Sequence, residues 1–254
     1  MVTRMHGDGE LYEEIGRTYA STRREDPRIA ALVVDAIGDA ATIVNVGAGT
    51  GNYEPPDRFV VAVEPSTAMV RQRRGRTHRV VRASSEALPL VRRSFDVGLA
   101  ILTIHHWRDV GAGLRELRRV SGRQVVFYFE PLHTHGFWAL DYFPEALALP
   151  SEHDAPGEQV LRRALRVQEV RTVPVPRDCT DGFGAAFWAR PEAYADPRVQ
   201  AGMSWLAQLP PAVRARGAAA LTADLASGAW DRRHGHLRRL DEFDGGYRIA
   251  IAGG

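Results

Sequence analysis

The chain has 254 residues, 44% hydrophobic and 25% charged, a balance that fits one large globular core and excludes a disordered or low-complexity protein. Its formal net charge of +2 comes from 33 basic residues, all of them arginine, interspersed with 31 acidic ones, so there is little long-range steering toward nucleic acid. A single cysteine, Cys179, excludes an internal disulfide and a thiolate metal site.

In chain order, "MVTRMHGDGELYEE" contains no apolar leader core, and no later window approaches the ~18 apolar residues of a membrane span. A cytoplasmic protein without a membrane partner is expected. "YASTR" follows and sets Tyr19 and Arg23 one helical turn apart. "DPRIAALVVDAIGDA" carries apolar residues at helical spacing, as does "RDVGAGLRELRRV", where Leu114, Leu117 and Val120 share one face. Between and after these helices run strand-like segments at 42–46, 59–64, 79–82, 96–103, 123–130, 167–175 and 246–252. Such alternation predicts an α/β fold, a Rossmann-like, mainly parallel seven-stranded sheet with helices on both faces. Residues 181–230 break the pattern as a helical insertion before the last strand. The expected division is an N-terminal lid at 1–28, a cofactor-binding core at 29–130 and a substrate-side half at 131–254.

Only residues 48–58 separate the first two strands, and Pro55 and Pro56 lie among them. A parallel crossover normally needs a dozen or more residues. The segment is therefore expected to be a loop with at most one turn, leaving one sheet face to be covered by another element such as the N-terminal helix. The basic run "RQRRGR" at 71–76 reads as a solvated helix end.

"TIVNVGAGTGNYEPPDRFVVAVEPS" concentrates the chemistry. A strand breaks into Gly47, Gly49 and Gly51, a tight loop whose backbone can approach a ligand. The dinucleotide fingerprint requires its third glycine at position 52, which is Asn52, so a nicotinamide oxidoreductase is disfavoured. Glu64 ends the second strand where a carboxylate can accept both ribose hydroxyls of an adenosyl ligand.

The order glycine loop, acidic strand end, "SSEALPL", "SFDVGLAILTIHHW", "LRELRRV" resembles class I S-adenosylmethionine-dependent methyltransferases, in the small-molecule branch related to the ubiquinone and menaquinone enzymes. The match covers roughly residues 10–130. It implies S-adenosyl-L-methionine as cofactor and a small-molecule acceptor, here in bacterial secondary metabolism. Under this resemblance the backbone of Gly47, Ala48 and Gly49 meets the methionine part of the cofactor. Glu64, with Pro65 after it, is the ribose acid, and Met69 lies under the adenine. Ser84 stands where the family usually has an aspartate, with the Ser85 N–H as an alternative adenine partner. Thr103 closes the site at the fourth strand's end, and Tyr19 and Arg23 of the lid reach the cofactor carboxylate or the acceptor.

His105 and His106 follow the fourth strand at the sheet edge where open α/β folds bind ligands, and are the candidate general bases. Strand alternation predicts that only one of them faces the site. Glu130, His133 and His135 match no metal-site spacing, and no metal is assigned. Trp138, Asp141 and Tyr142 from one segment, and Asp178, Asp181 and Trp188 from another, are the candidate acceptor-binding residues, the indoles as flat walls and the aspartates as anchors. The alternative is that these aromatics pack the insertion onto the sheet. "TIHHW" lacks the proline-rich motif of base-amino methyltransferases, which argues against a nucleic-acid substrate. A protein that binds S-adenosylmethionine for cyclisation or regulation shares the same cofactor motifs and stays open, as does the oligomeric state.

Overall fold

The computed structural model describes residues 23–73 and 79–253. Tyr19 and most of the segment expected as a lid lie outside them. The described chain runs α1 (Pro27–Ile37), β1 (Thr42–Val46), β2 (Phe59–Val63), α2 (Thr67–Arg71), β3 (Arg79–Val81), β4 (Phe95–Ile101), α3 (Val110–Val120) and β5 (Ser121–Phe129). After β5 come α4 (Pro131–Thr134), α5 (Pro150–His153), α6 (Glu158–Ala164), β6 (Val167–Thr172) and β7 (Val175–Pro176). The helices α7 (Pro197–Gly202), α8 (Ser204–Ala207), α9 (Pro211–Ala226) and α10 (Ala229–His234) then precede β8 (Glu242–Phe243) and β9 (Tyr247–Gly253).

Seven strands form one sheet in the order β3-β2-β1-β4-β5-β9-β6, and β7 pairs with β8 in a separate two-stranded antiparallel sheet. The first five strands are mutually parallel, and β9 runs antiparallel to both β5 and β6. The single extended run expected at 167–175 is two strands, because Pro174 cannot donate to a ladder.

Alternate residues of each strand fill two cores. Ile43, Val97, Leu99, Val125, Phe127 and Ile249 face one side, where α1 lays Ile29, Val33, Ala36 and Ile37 on them. Val44, Val46, Ala100, Val126 and Ala250 face the other, under Leu114 and Leu117 of α3 and Leu161 of α6. Helix α1 starts where the Asp26 side chain caps Arg28 N and Pro27 fixes the first turn, and it stops at Gly38 with φ +64°. It covers the face that the helix-free β1–β2 connection leaves bare, as the short crossover required. The boundary expected at 28/29 falls inside α1.

Asp96 locks β4 to β1: its Oδ2 accepts from the Thr42 N–H (2.8 Å), the Ala41 N–H (3.0 Å) and the Thr42 hydroxyl (2.8 Å). That register places the ends of β1 and β4 side by side at the carboxyl edge of the sheet. Among the described residues no helix is long and apolar enough to cross a membrane.

Candidate active site

Beyond β1 the chain turns sharply with φ +69° at Gly47 and +50° at Gly49. The N–H groups of Gly47 and Ala48 both donate to the Val63 carbonyl (2.9 and 3.0 Å), and that of Gly49 donates to Glu64 Oε2 (2.8 Å). With these donors committed, Gly47 to Gly49 present no row of N–H groups for a pyrophosphate, which is what a dinucleotide loop must offer. Glu64 is buried, and its second oxygen accepts from Ser66 N (2.9 Å). A carboxylate offers about four acceptor sites, so fixing it by two backbone N–H groups is compatible with accepting hydroxyls as well. Ser66 also caps α2 by accepting from Met69 N, which seats Met69 against the loop: a Cβ at Gly49 would lie 3.3 Å from Met69 Cε.

Beneath the loop is an ion pair that no sequence pattern announced. Arg73 Nη2 donates to both oxygens of Glu54 (2.9 and 2.6 Å), and its Nη1 donates to the carbonyls of Ala48 (3.3 Å) and Gly49 (3.1 Å). Asn45 adds its amide to Glu54 Oε1 (2.9 Å). Both charged side chains are almost fully buried, at 3% and 0% exposure. Arg73 therefore corrects the expectation of a solvated "RQRRGR": the guanidinium leaves the helix end and holds the loop's carbonyls.

Strand β4 ends at Ile101, earlier than expected, and Leu102 takes φ +47°, a strained conformation for a branched residue. The kink turns Thr103 onto the glycine loop, where its Oγ1 would be 2.1 Å from a Cβ at Gly47. Residues 104–106 then form a 3₁₀ turn. A turn, unlike a strand, does not alternate its side chains, so both His105 and His106 face one cavity, which corrects the expectation that only one would. Their rings lie 3.9 Å apart and His105 sits 4.8 Å from Phe129. Burial pushes the His105 imidazole well below its usual range, with His106 and Arg23 adding to the shift, and burial followed by the Arg23 charge lowers His106 to about 4. Both are neutral at pH 7.

The cavity measures about 770 Å³, counting space open to solvent. Leu102, Phe129, Phe137, Phe183, Trp205 and Tyr247 supply its apolar walls, and Arg23, Glu152 and His135 also line it. None of the six acceptor residues expected from sequence is among its lining residues. Trp188 is fully buried, stacks on Phe243 (5.3 Å) and donates to the Val175 carbonyl. The Trp138 indole N–H donates to the Trp188 carbonyl (3.1 Å), with Trp230 and Tyr194 edge-on around it. Both indoles pack the insertion onto the sheet, the alternative reading, because each needs a buried partner for its N–H.

Tyr142 bonds Asp224 (2.8 Å) and Arg233 (2.6 Å), Asp141 sits 3.6 Å from His234 near the surface, and exposed Asp178 pairs with Arg28 (2.7 Å). Asp181 is completely buried and saturated: it accepts from Arg23 Nε (2.7 Å) and Nη2 (3.2 Å), Tyr53 OH (2.8 Å), Arg24 N (3.2 Å) and Gly182 N (2.7 Å). It is a hub that ties the N-terminal segment to Tyr53 beside the glycine loop, not an anchor for a ligand. Ser84 is exposed and Ser85 buried, and both hydroxyls bond Glu86. Among the described residues no cluster of His, Cys, Asp and Glu is arranged to hold a metal.

The described methyltransferase domain model matches residues 44–129, the stretch from β1 to the end of β5. Over 91% of this chain and 98% of the other, the fold matches a protein of Anabaena variabilis ATCC 29413 described as a methyltransferase from an antibiotic biosynthesis pathway, at 31% identity and TM-score 0.81. The chain belongs to the class I S-adenosylmethionine-dependent methyltransferases. A 45-residue stretch, 16% of this chain, is 42% identical to the uncharacterized protein YafE of Escherichia coli strain K12 and spans 22% of that protein. The [4+2]-cyclase SpnF shares the fold at TM-score 0.52 and 16% identity over 98% of this chain and 97% of its own.

The residues present fit the family's cofactor, S-adenosylmethionine. Loop N–H groups are turned inward rather than toward an anion, a buried acid stands at the second strand's end, and Met69 pads the loop. What sequence reading missed were Tyr53, Glu54, Arg73 and the cavity's real walls. Tyr53 adjoins the loop and adopts φ +64°, but a lone tyrosine in a proline-containing loop gives no such signal.

Proposed function

We propose that the chain transfers a methyl group from S-adenosylmethionine to a small molecule held in the cavity beyond β4, in bacterial secondary metabolism. The observation that carries this reading is the segment 102–106, in which Thr103 touches the glycine loop while Leu102, His105 and His106 wall the cavity. When bound, the cofactor supplies an electrophilic methyl group on a sulfonium. Glu64 accepts ribose hydroxyls, the backbone of Gly47 to Gly49 meets the methionine part, and Met69 supports the adenine. His105 and His106, held neutral, are able to take the proton that an O–H or N–H acceptor loses as the new bond forms. His105 Nδ1 is buried without a partner among the described residues, which supports a role toward a ligand.

The aromatic walls suit a flat or largely apolar acceptor. Residues 29–130 would then carry the cofactor and the chain beyond 130 most of the acceptor site. The antibiotic-pathway description of the Anabaena relative supports secondary metabolism. The test is incubation with methyl-labelled cofactor and a panel of phenols, amines and carboxylic acids. Label is expected on at least one small molecule and is expected to vanish with Glu64→Ala. Label on nucleic acid or protein alone would overturn the reading.

A further inference from the structure

The described chain buries carboxylates in four places near the site and gives each one partners: Glu54 has Arg73 and Asn45, Glu64 has two backbone N–H groups, Asp26 has Arg28 and Thr180, and Asp181 has Arg23 and Tyr53. The half-buried Glu152 differs from all four. Its helical turn, α5, packs against the His105–His106 turn, and its side chain lines the same cavity. Among the described residues none makes a hydrogen bond or ion pair to its carboxyl, and burial is what shifts its titration.

We infer that Glu152 is the acceptor-recognition group of this site and that the acceptor carries a basic nitrogen, docked as an ammonium against this carboxylate between the cavity's aromatic walls. The inference rests on the cavity being the acceptor site. The described groups facing Glu152 leave its carboxyl without a partner. Arg23 on the N-terminal segment is committed through Nε and Nη2 to Asp181, and His105 and His106 on the adjoining turn are neutral. Tyr247 of β9 is uncharged and its hydroxyl oxygen accepts from Ala185 N (3.1 Å), Ser204 of α8 is uncharged, and His135 lies exposed at the rim. A half-buried carboxyl that lines a cavity with no partner among the described residues marks a place where a ligand can complete the set. The sign follows from the carboxyl itself, which complements a cation, and the aromatic residues Phe129, Phe137, Trp205 and Tyr247 that share the cavity suit a cation wherever a ring face meets it.

Burial raises the Glu152 carboxyl to about 8, so at pH 7 it is mostly protonated before the ligand arrives. Docking of R–NH₃⁺ converts the carboxyl to carboxylate, and its proton leaves to solvent. Amine binding therefore releases close to one proton per event at pH 7, and affinity rises about tenfold per pH unit between pH 6 and 7.5.

The experiment is calorimetry on the full chain saturated with S-adenosylhomocysteine, using tyramine, the neutral alcohol tyrosol and the anion 4-hydroxyphenylacetate, three ligands with one ring and different tails. Tyramine is expected to bind roughly 10- to 100-fold tighter than tyrosol, with the carboxylate weakest. Titrations in two buffers of different ionisation enthalpy read the released proton. Glu152→Gln is expected to remove both the amine preference and the proton release while leaving cofactor affinity unchanged, which also shows that the variant is folded. Equal binding of tyramine and tyrosol, or an amine preference that survives in Glu152→Gln, overturns the inference and leaves the acceptor site standing. Binding of none of the three at millimolar concentration, with the cofactor bound normally, overturns both.

Discussion

Thr103 and Gly47 are in such close contact that a single methyl group cannot be added between them: a Cβ at Gly47 would lie 2.1 Å from Thr103 Oγ1 and 2.9 Å from its Cβ. The cofactor loop and the acceptor cavity are joined through this pair. Gly47→Ala should therefore damage both halves, costing about 1–2 kcal/mol for the left-handed backbone and about 1–3 kcal/mol for overpacking. Cofactor affinity by calorimetry and thermal stability should fall together. Adding Thr103→Ala should restore part of the loss but not the backbone component; full restoration would mean that φ at Gly47 is unimportant.

Replacing Glu64 by Ala removes the acceptor of the Gly49 and Ser66 N–H groups as well as the proposed ribose acid. Affinity for S-adenosylmethionine should drop by about 2–4 kcal/mol, measured by calorimetry. Unchanged affinity would remove Glu64 from the cofactor site.

With His106 lowered to about 4 from the usual 6.5, and His105 lower than usual as well, the rate at saturating acceptor should stay level as pH falls past 6.5 and decline only toward pH 4. Single replacement of the acting base by Ala should slow the chemical step by about 10² to 10⁴ with cofactor binding retained. The stability sign is fixed too. The unfolded chain takes up protons at these histidines below 6.5 and the folded chain does not, so their contribution is intact above 6.5 and is lost as pH falls toward 4. His106→Asn should flatten thermal stability across that window; an unaltered slope would show that the imidazole is not buried neutral.

Asp181→Ala strands a buried guanidinium and a buried phenol, since the Arg23 and Asp181 side chains are only 9% and 0% exposed. A loss of about 3–5 kcal/mol is expected in chemical denaturation. Acceptor selectivity should change little, in contrast to what an anchoring aspartate would give.

Trp138→Ala and Trp188→Ala should each cost about 3–5 kcal/mol of stability. Trp205→Leu, at the cavity wall, should weaken acceptor binding at a smaller cost in stability. Steady-state KM beside thermal melts separates the two; acceptor loss confined to Trp138 or Trp188 would return those rings to the site.

The local pattern of the chain determined the sheet, its short β1–β2 connection, the glycine loop, the acid at the end of β2 and the histidines beyond β4. These features depend on period-2 burial, on backbone angles only glycine adopts readily and on which strand ends share an edge, and all of them are written in consecutive residues. Tertiary structure alone decided what happens across long separations. Asp181 could have faced a ligand until Arg23 and Tyr53, more than a hundred residues away, closed around it. Trp188 belonged to the core once the Val175 carbonyl took its N–H. Arg73 looked solvated until Glu54 and two carbonyls surrounded it, whereas Glu152, to which no sequence pattern pointed, is brought to the cavity by packing. The physical reason is the same each time: a polar side chain's role is set by whether its hydrogen-bonding and charge demands are met, and the groups that meet them are assembled by packing rather than by neighbours in sequence.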